Sequence, residues 1–249
     1  ANNGGYIYLS SDTGKTWKKI KTLGRAGGSD EDHEGISWEG AYWKKILFSG
    51  DSGSLIVIKE ESSESTGNDG SFIYISEDNG KEWYKVISGG RNDDGSGWDD
   101  VICSSDGVKI AALDGQVYTS SNGGVTWTER AVSGTALAGS SGGDKMIVAA
   151  KGGYIYTSSN SGIDWTMQTL SGERDWKTVT CSSDGTIIAA AVSGGYIYTS
   201  SDGGVNWTEQ TLSGERDWTG LTISDDGSLI IAASDTGIYK SSDGGASWT

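Results

Sequence analysis

Hydrophobic and polar residues alternate along this chain in short runs, and glycine punctuates them. Tyr196, Ile197, Tyr198 and Thr199 follow Gly194-Gly195 and lead into Ser200, Asp202 and Gly204 before Trp207. Alternation, a Gly-rich turn and further β-formers predict a hairpin. A short Asp side chain can accept backbone N–H groups of its own turn, Gly takes the positive φ, and the Trp folds back as an apolar lid. One full period is parsed from Trp176: strand A over 176–181, a turn over 182–185, strand B over 186–192, strand C from Tyr196, and strand D over about 205–211. No long 3.6-residue periodicity appears, so little helix is expected.

The hairpin recurs. Its key residues are Ser10, Asp12, Gly14 and Trp17; Ser76, Asp78, Gly80 and Trp83; Ser120, Asn122, Gly124 and Trp127; Ser158, Asn160, Gly162 and Trp165; Ser200, Asp202, Gly204 and Trp207; and Ser241, Asp243, Gly245 and Trp248. Trp127, Trp165, Trp207 and Trp248 fall about forty residues apart, the period of a four-stranded blade. The pattern Ser-x-Asp/Asn-x-Gly-x-x-Trp resembles the Asp-box (BNR) repeat carried by β-propellers of sialidases, sortilin-type receptors, xyloglucanases and photosystem assembly factors. That resemblance implies an all-β propeller of four-stranded antiparallel blades. It implies no activity, because many functions share the repeat.

The blade count follows from the strand census. Box hairpins are expected at 5–20, 71–87, 116–131, 153–169, 195–211 and 237–249 of a single domain over 1–249. Only five A–B pairs can be found, so six blades are expected with the first incomplete, and a seventh is left open. Truncation or a minimal first blade is preferred over a strand donated by another chain. Insertions lengthen the loops over 24–42, 60–70 and 88–97, whereas the connection over 133–143 is clipped and has no Trp. Boxes and A–B turns share one face of such a fold, and the insertions share the other.

Composition narrows the partners. Forty Gly, eleven Trp and no Pro suit many short strands in tight turns. The formal charge of −15 argues against nucleic acid and anionic membranes, and no apolar run reaches membrane-spanning length. The chain begins at Ala1 without Met or a signal-like segment, which reads as a processed form or a piece of something longer. Composition and the family resemblance together favour an extracellular or cell-surface location. Cys103 and Cys181 occupy the slot that holds Phe48 and Ile223 in other repeats, so they are expected as small apolar residues without a mutual disulfide.

Binding is expected on the insertion face, where variable loops ride on a rigid frame. Candidate ligand residues are Trp43, Trp98, Trp176 and Trp218 at the starts of A strands, with Arg91, Arg174, Asp175, Arg216 and Asp217 beside them. Aromatic rings beside carboxylates and arginines would suit a glycan. The competing reading gives each Trp a packing role, and its recurrence at one place in the repeat favours that. Asp12, Trp17, Asp78, Trp83, Asn122, Trp127, Asn160, Trp165, Asp202, Trp207, Asp243 and Trp248 are read as structural.

Enzyme signals are poor. Sialidases of the resembled family need three clustered arginines and an Arg-Ile-Pro segment, but this chain lacks proline and spreads Arg25, Arg91, Arg130, Arg174 and Arg216 through its loops. Xyloglucanase-like enzymes work between two propellers, and only one is present. The acidic charge counts against a photosystem assembly factor. His33 stands alone, so a multi-histidine metal site is not expected. Asp30, Asp32 and Glu34 resemble the opening of a calcium loop, but an acidic surface loop is the preferred reading, so no cofactor is expected. The sequon Asn206-Trp207-Thr208 lies inside a box and is expected to stay unmodified. The expected function is a non-catalytic module binding glycans or proteins, with a self-assembling structural subunit and a glycoside hydrolase as alternatives.

Overall fold

The structure, a computed structural model, describes residues 6–20, 23–24, 42–50, 52–61, 70–86 and 97–249. The chain divides into two units, Ala1–Trp98 and Asp99–Thr249.

In the first unit, β1 (Tyr8–Leu9) and β2 (Lys18–Lys19) form a lone two-stranded hairpin. β3 (Leu23–Gly24) lies parallel to the last strand of an antiparallel sheet made by β4 (Tyr42–Phe48), β5 (Leu55–Glu61), β6 (Gly70–Ser76) and β7 (Glu82–Val86). The apolar positions of β5 and β6 are buried apart from Phe72, which is half-buried. Leu55, Val57, Tyr74 and Trp83 share a core with Ile7, Ile20, Trp43 and Phe72, so the hairpin packs on the sheet through Ile7 and Ile20.

The second unit holds four sheets. The first is β8 (Asp100–Cys103), β9 (Ile110–Leu113), β10 (Gln116–Ser120) and β11 (Thr128–Ser133). The second is β12 (Ala136–Gly139), β13 (Met146–Ala149), β15 (Ile155–Ser158) and β16 (Thr166–Gln168); between its middle strands, the short β14 (Lys151–Gly153) leaves to pair with the next sheet. The third is β17 (Arg174–Cys181), β18 (Ile188–Val192), β19 (Ile197–Ser200) and β20 (Thr208–Gln210). The fourth is β21 (Trp218–Ile223), β22 (Ile230–Ser234) and β23 (Gly237–Ser241), with Lys240 and Thr249 exchanging two backbone bonds of 2.9 Å.

Small residues sit where sheets crowd. Ala189, Ala190 and Ala191 of β18 are fully buried because the strand is covered on both faces. Ala136, Ala138, Ile147 and Ile155 of the second sheet pack on Trp176, Val179, Ala190 and Tyr198 of the third. The third repeats this on the fourth, with Ala191 and Ile197 against Trp218 and Ala232. Each isoleucine buried in this way contributes roughly 1.5–3 kcal/mol. At the A–B turns, adjacent sheets are laced by Ser105 N–H to Ser141 O (2.7 Å), Ser141 N–H to Ser183 O (2.8 Å) and Ser183 N–H to Asp225 O (2.9 Å).

The box turns share one geometry. In the copy at 200–207, Ser200 Oγ donates to Asp202 Oδ1 and accepts from Gly204 N–H, while Asp202 Oδ1 also accepts from Asn206 N–H. Trp207 Nε1 then donates to Gly204 O at 2.7 Å. Asn122 and Asn160 do the same work with a neutral carbonyl oxygen. Helix is limited among the described residues to two 3₁₀ turns, Thr169–Ser171 and Thr211–Ser213. Among the described residues five sheets carry inner strands, and the first box hairpin is a separate two-stranded sheet, as expected of an incomplete first blade.

Candidate functional site

On the face opposite the box turns, the sequence Thr-Leu-Ser-Gly-Glu-Arg-Asp-Trp occurs twice, over 169–176 and 211–218. Each copy builds the same rigid loop. Ser171 Oγ and Ser213 Oγ accept the opening N–H of the neighbouring C strand, from Ile155 (3.0 Å) and Ile197 (3.1 Å). Gly172 (φ 74°, ψ 159°) and Gly214 (φ 76°, ψ 159°) then turn the chain through a region that only glycine enters readily. A Cβ there would also stand 1.9 or 1.8 Å from the guanidinium of Arg174 or Arg216.

That guanidinium is anchored to its own loop and to a tyrosine ring. Arg174 donates to Ser171 O and lies 4.4 Å above the Tyr198 ring, and Arg216 donates to Ser213 O at 4.2 Å above Tyr239. Beneath them, Trp176 meets Tyr198 edge-on at 5.3 Å and Trp218 meets Tyr239 at 5.6 Å. Trp218 Nε1 donates to Gly195 O at 2.8 Å, whereas Trp176 Nε1 is buried with no partner among the described residues.

The residues singled out from the sequence therefore fall into different places. Trp98, Trp176 and Trp218 are each 1% exposed, so no sugar ring can stack on them. Trp43 is half-buried against the Tyr74 and Trp83 core. Arg174 and Arg216 are half-buried beneath the loops, and only Asp175 and Asp217 reach solvent. Arg91, and the calcium reading of Asp30, Asp32 and Glu34, lie outside the described residues. No group of three His, Cys, Asp or Glu side chains converges as metal ligands among those described. No helix there is long and apolar enough to cross a membrane. Neither Cys103 nor Cys181 is in a disulfide among the described residues, and burial pushes Cys181 up to about 12. In the sequon, the Asn206 amide donates to Asp202 Oδ2 at 2.7 Å.

The loops also expose residues that the sequence reading passed over. Leu170 and Leu212 are 64% and 70% exposed at the tips of the 3₁₀ turns. Glu173 and Glu215 accept hydrogen bonds from the Tyr154 and Tyr196 hydroxyls, which raises both phenols. The signal available in the sequence was a repeated leucine between polar residues, outside any alternating run. A second feature lies on the first sheet of this unit. Burial pushes the Asp114 carboxyl up, against a bond from Gln116 N–H, and the nearby charges of Asp99 and Glu129 add to the rise.

The box face carries a cleft of about 250 Å³, lined by Lys145, Thr157, Asn160, Asp164, Gly185 and Asp202 among others. Its polar groups are largely spent on the boxes, as in Asn160 Nδ2 to Asp164 Oδ2 at 2.8 Å.

No family model and no curated protein matches the chain. Solved structures do match it. The structure described as YCF48 bound to D1 peptide gives a TM-score of 0.63 at 17% identity, over 99% of this chain and 75% of that one. YCF48 from Cyanidioschyzon merolae gives 0.61 at 16% identity, over 98% and 77%. The fold is a β-propeller. An ancestral GH74 enzyme gives 0.58 at 16% identity, over 83% of this chain and 30% of that one. At these identities the propeller likeness carries architecture and leaves function to the site.

Proposed function

We propose that this propeller is a non-catalytic extracellular or cell-surface module that takes a protein ligand across the loop face of unit Asp99–Thr249. The observation that carries this reading is the pair of outward leucines, Leu170 and Leu212, held on two identical rigid loops. Glu173 and Asp175 share the loop of Leu170, and Glu215 and Asp217 that of Leu212, all exposed. An apolar anchor inside an acidic rim suits an extended segment carrying apolar side chains beside lysine or arginine. The peptide bound to YCF48 supports a peptide as the ligand class for a propeller of this kind. Burial of Trp98, Trp176 and Trp218 favours protein over glycan, because the flat platforms a sugar needs are enclosed.

The test is retention on arrays of extended peptides and of glycans. Saturable binding of basic, apolar peptides is expected, weakening with added salt because the rim charges are exposed. Retention of glycans with no peptide bound would overturn the reading.

A second reading, a glycoside hydrolase, is favoured by one observation: burial pushes the Asp114 carboxyl above its usual range, and the neighbouring charges of Asp99 and Glu129 add to the rise. Turnover of an aryl glycoside that Asp114→Asn abolishes would establish it.

A further inference from the structure

The second unit contains six Asp-Gly steps, beginning at Asp106, Asp114, Asp184, Asp202, Asp226 and Asp243. Such a step is open to backbone rearrangement, because glycine has no side chain to hinder attack of its own amide nitrogen on the preceding carboxyl. Attack needs a nitrogen free of hydrogen bonds, a side chain turned towards it, and a protonated carboxyl that can release water.

Folding withholds these conditions from five of the six steps. In the A–B turns, Gly107, Gly185 and Gly227 donate their N–H to Ser104 O, Ser182 O and Ser224 O at 2.8–2.9 Å. In the boxes, Gly203 N–H donates to Thr186 O at 2.8 Å and Gly244 N–H to Ser228 O at 3.3 Å. The five carboxyls are also held below their usual range. The Ser104 hydroxyl is the chief cause for Asp106 and Asn206 N–H for Asp202. Asp184, Asp226 and Asp243 lie at about 2, chiefly through the hydroxyls of Ser182, Ser224 and Ser247.

The turn Asp114-Gly115, between β9 and β10, reverses each condition. Gly115 N–H donates no hydrogen bond among the described residues. Asp114 Oδ1 accepts from Gln116 N–H at 3.2 Å, which folds the side chain back along the Gly115 peptide. Gly115 has φ 90°, and nothing lies within 4 Å of where a Cβ would stand, so the main chain has room to close a ring. Burial and the charges of Asp99 and Glu129 raise the carboxyl, and Tyr118 is the other titratable group facing it.

We propose that Asp114-Gly115 is a modification site, where the backbone rearranges through a succinimide to isoaspartate. The Gly115 nitrogen bonds to Asp114 Cγ, the Cγ–OH bond breaks, and the hydroxyl leaves with the amide proton as water. Water then adds to either ring carbonyl. Opening at the Asp114 main-chain carbonyl breaks its bond to nitrogen and leaves the chain running through Cγ, one methylene longer at the turn. The inference rests on neither functional reading above.

The 249-residue chain is aged folded for weeks in mildly acidic buffer, then digested, and isoaspartate is located by electron-transfer fragmentation. Isoaspartate at Asp114 should exceed that at each of the other five steps by at least about tenfold, since the protonated fraction changes tenfold for each pKa unit. Aged in denaturant, the six steps should react within a few-fold of one another, which assigns the contrast to the fold. Asp114→Glu, which would have to close a larger ring, should lose the signal, and its melting curve verifies folding. Should that variant unfold, hydroxylamine on the aged wild-type chain should cleave after Asp114, where it intercepts the imide. Isoaspartate at Asp114 no more abundant than at Asp184 or Asp243, or formed there only in denaturant, would overturn the proposal.

Discussion

The box turns and the Thr-Leu-Ser-Gly-Glu-Arg-Asp-Trp loops are both repeated, and both are held by glycine, serine and tryptophan, but they spend their side chains differently. In a box, serine, aspartate and indole all bond within the turn, as Ser241, Asp243 and Trp248 do. In a loop the inner half is equally committed, through Ser213, Arg216 and Trp218, while Leu212, Glu215 and Asp217 face outward. One repeat has spent its chemistry on folding. The other has a rigid base and side chains left over, which is what a binding surface requires.

Breaking the loop base has the largest effect. Trp218→Ala removes a fully buried indole and should cost about 3–5 kcal/mol in denaturant unfolding. Gly214→Ala forces a Cβ into a backbone region that side chains rarely enter, and should cost about 1–3 kcal/mol. A finer contrast separates the two loops. Trp218→Phe loses the 2.8 Å bond to Gly195 O and Trp176→Phe loses none, so the first should be more destabilising by about 0.5–1.5 kcal/mol.

The boxes and the A–B turns, which carry Asp184 and Asp226, respond instead to acid. Hydroxyl donors, chiefly Thr16 for Asp12, Ser182 for Asp184, Ser224 for Asp226 and Ser247 for Asp243, hold these carboxyls at about 2 against an ordinary 3.8. A carboxyl lowered by folding stabilises the fold above its unfolded value and loses that contribution as pH falls through its folded value. Stability should therefore be level above about pH 4 and decline towards pH 2. Asp243→Asn should shrink the decline slightly, since Asn122 and Asn160 already serve in boxes without a charge. A decline beginning near neutrality would contradict this assignment.

Much of the frame was legible because glycine, aspartate and tryptophan have few reasons to recur at fixed spacing. Six boxes follow from counting Ser200-like positions, and five inner strand pairs from counting A strands, four of which open on a Trp such as Trp176. The site was less legible. Trp98, Trp176 and Trp218 look equally suited to a platform or to a core, and only three-dimensional packing places them inside. Arg174 and Arg216 read as ligand groups until Tyr198 and Tyr239 appear beneath them, across a separation no local pattern reports. Leu170 was missed for the opposite reason, since a single apolar residue in a loop looks accidental until both copies project from one face.

The central claim is that the loop base folds the protein while its outward leucines bind. Leu170→Ser combined with Leu212→Ser tests it, with thermal melting and peptide retention measured on the same sample. The account predicts a melting curve shifted by less than about 0.5 kcal/mol, as for exposed positions generally, and retention weakened at least about tenfold, as for anchor residues. Retention unchanged in a folded double variant, or lost only together with the fold, would contradict it.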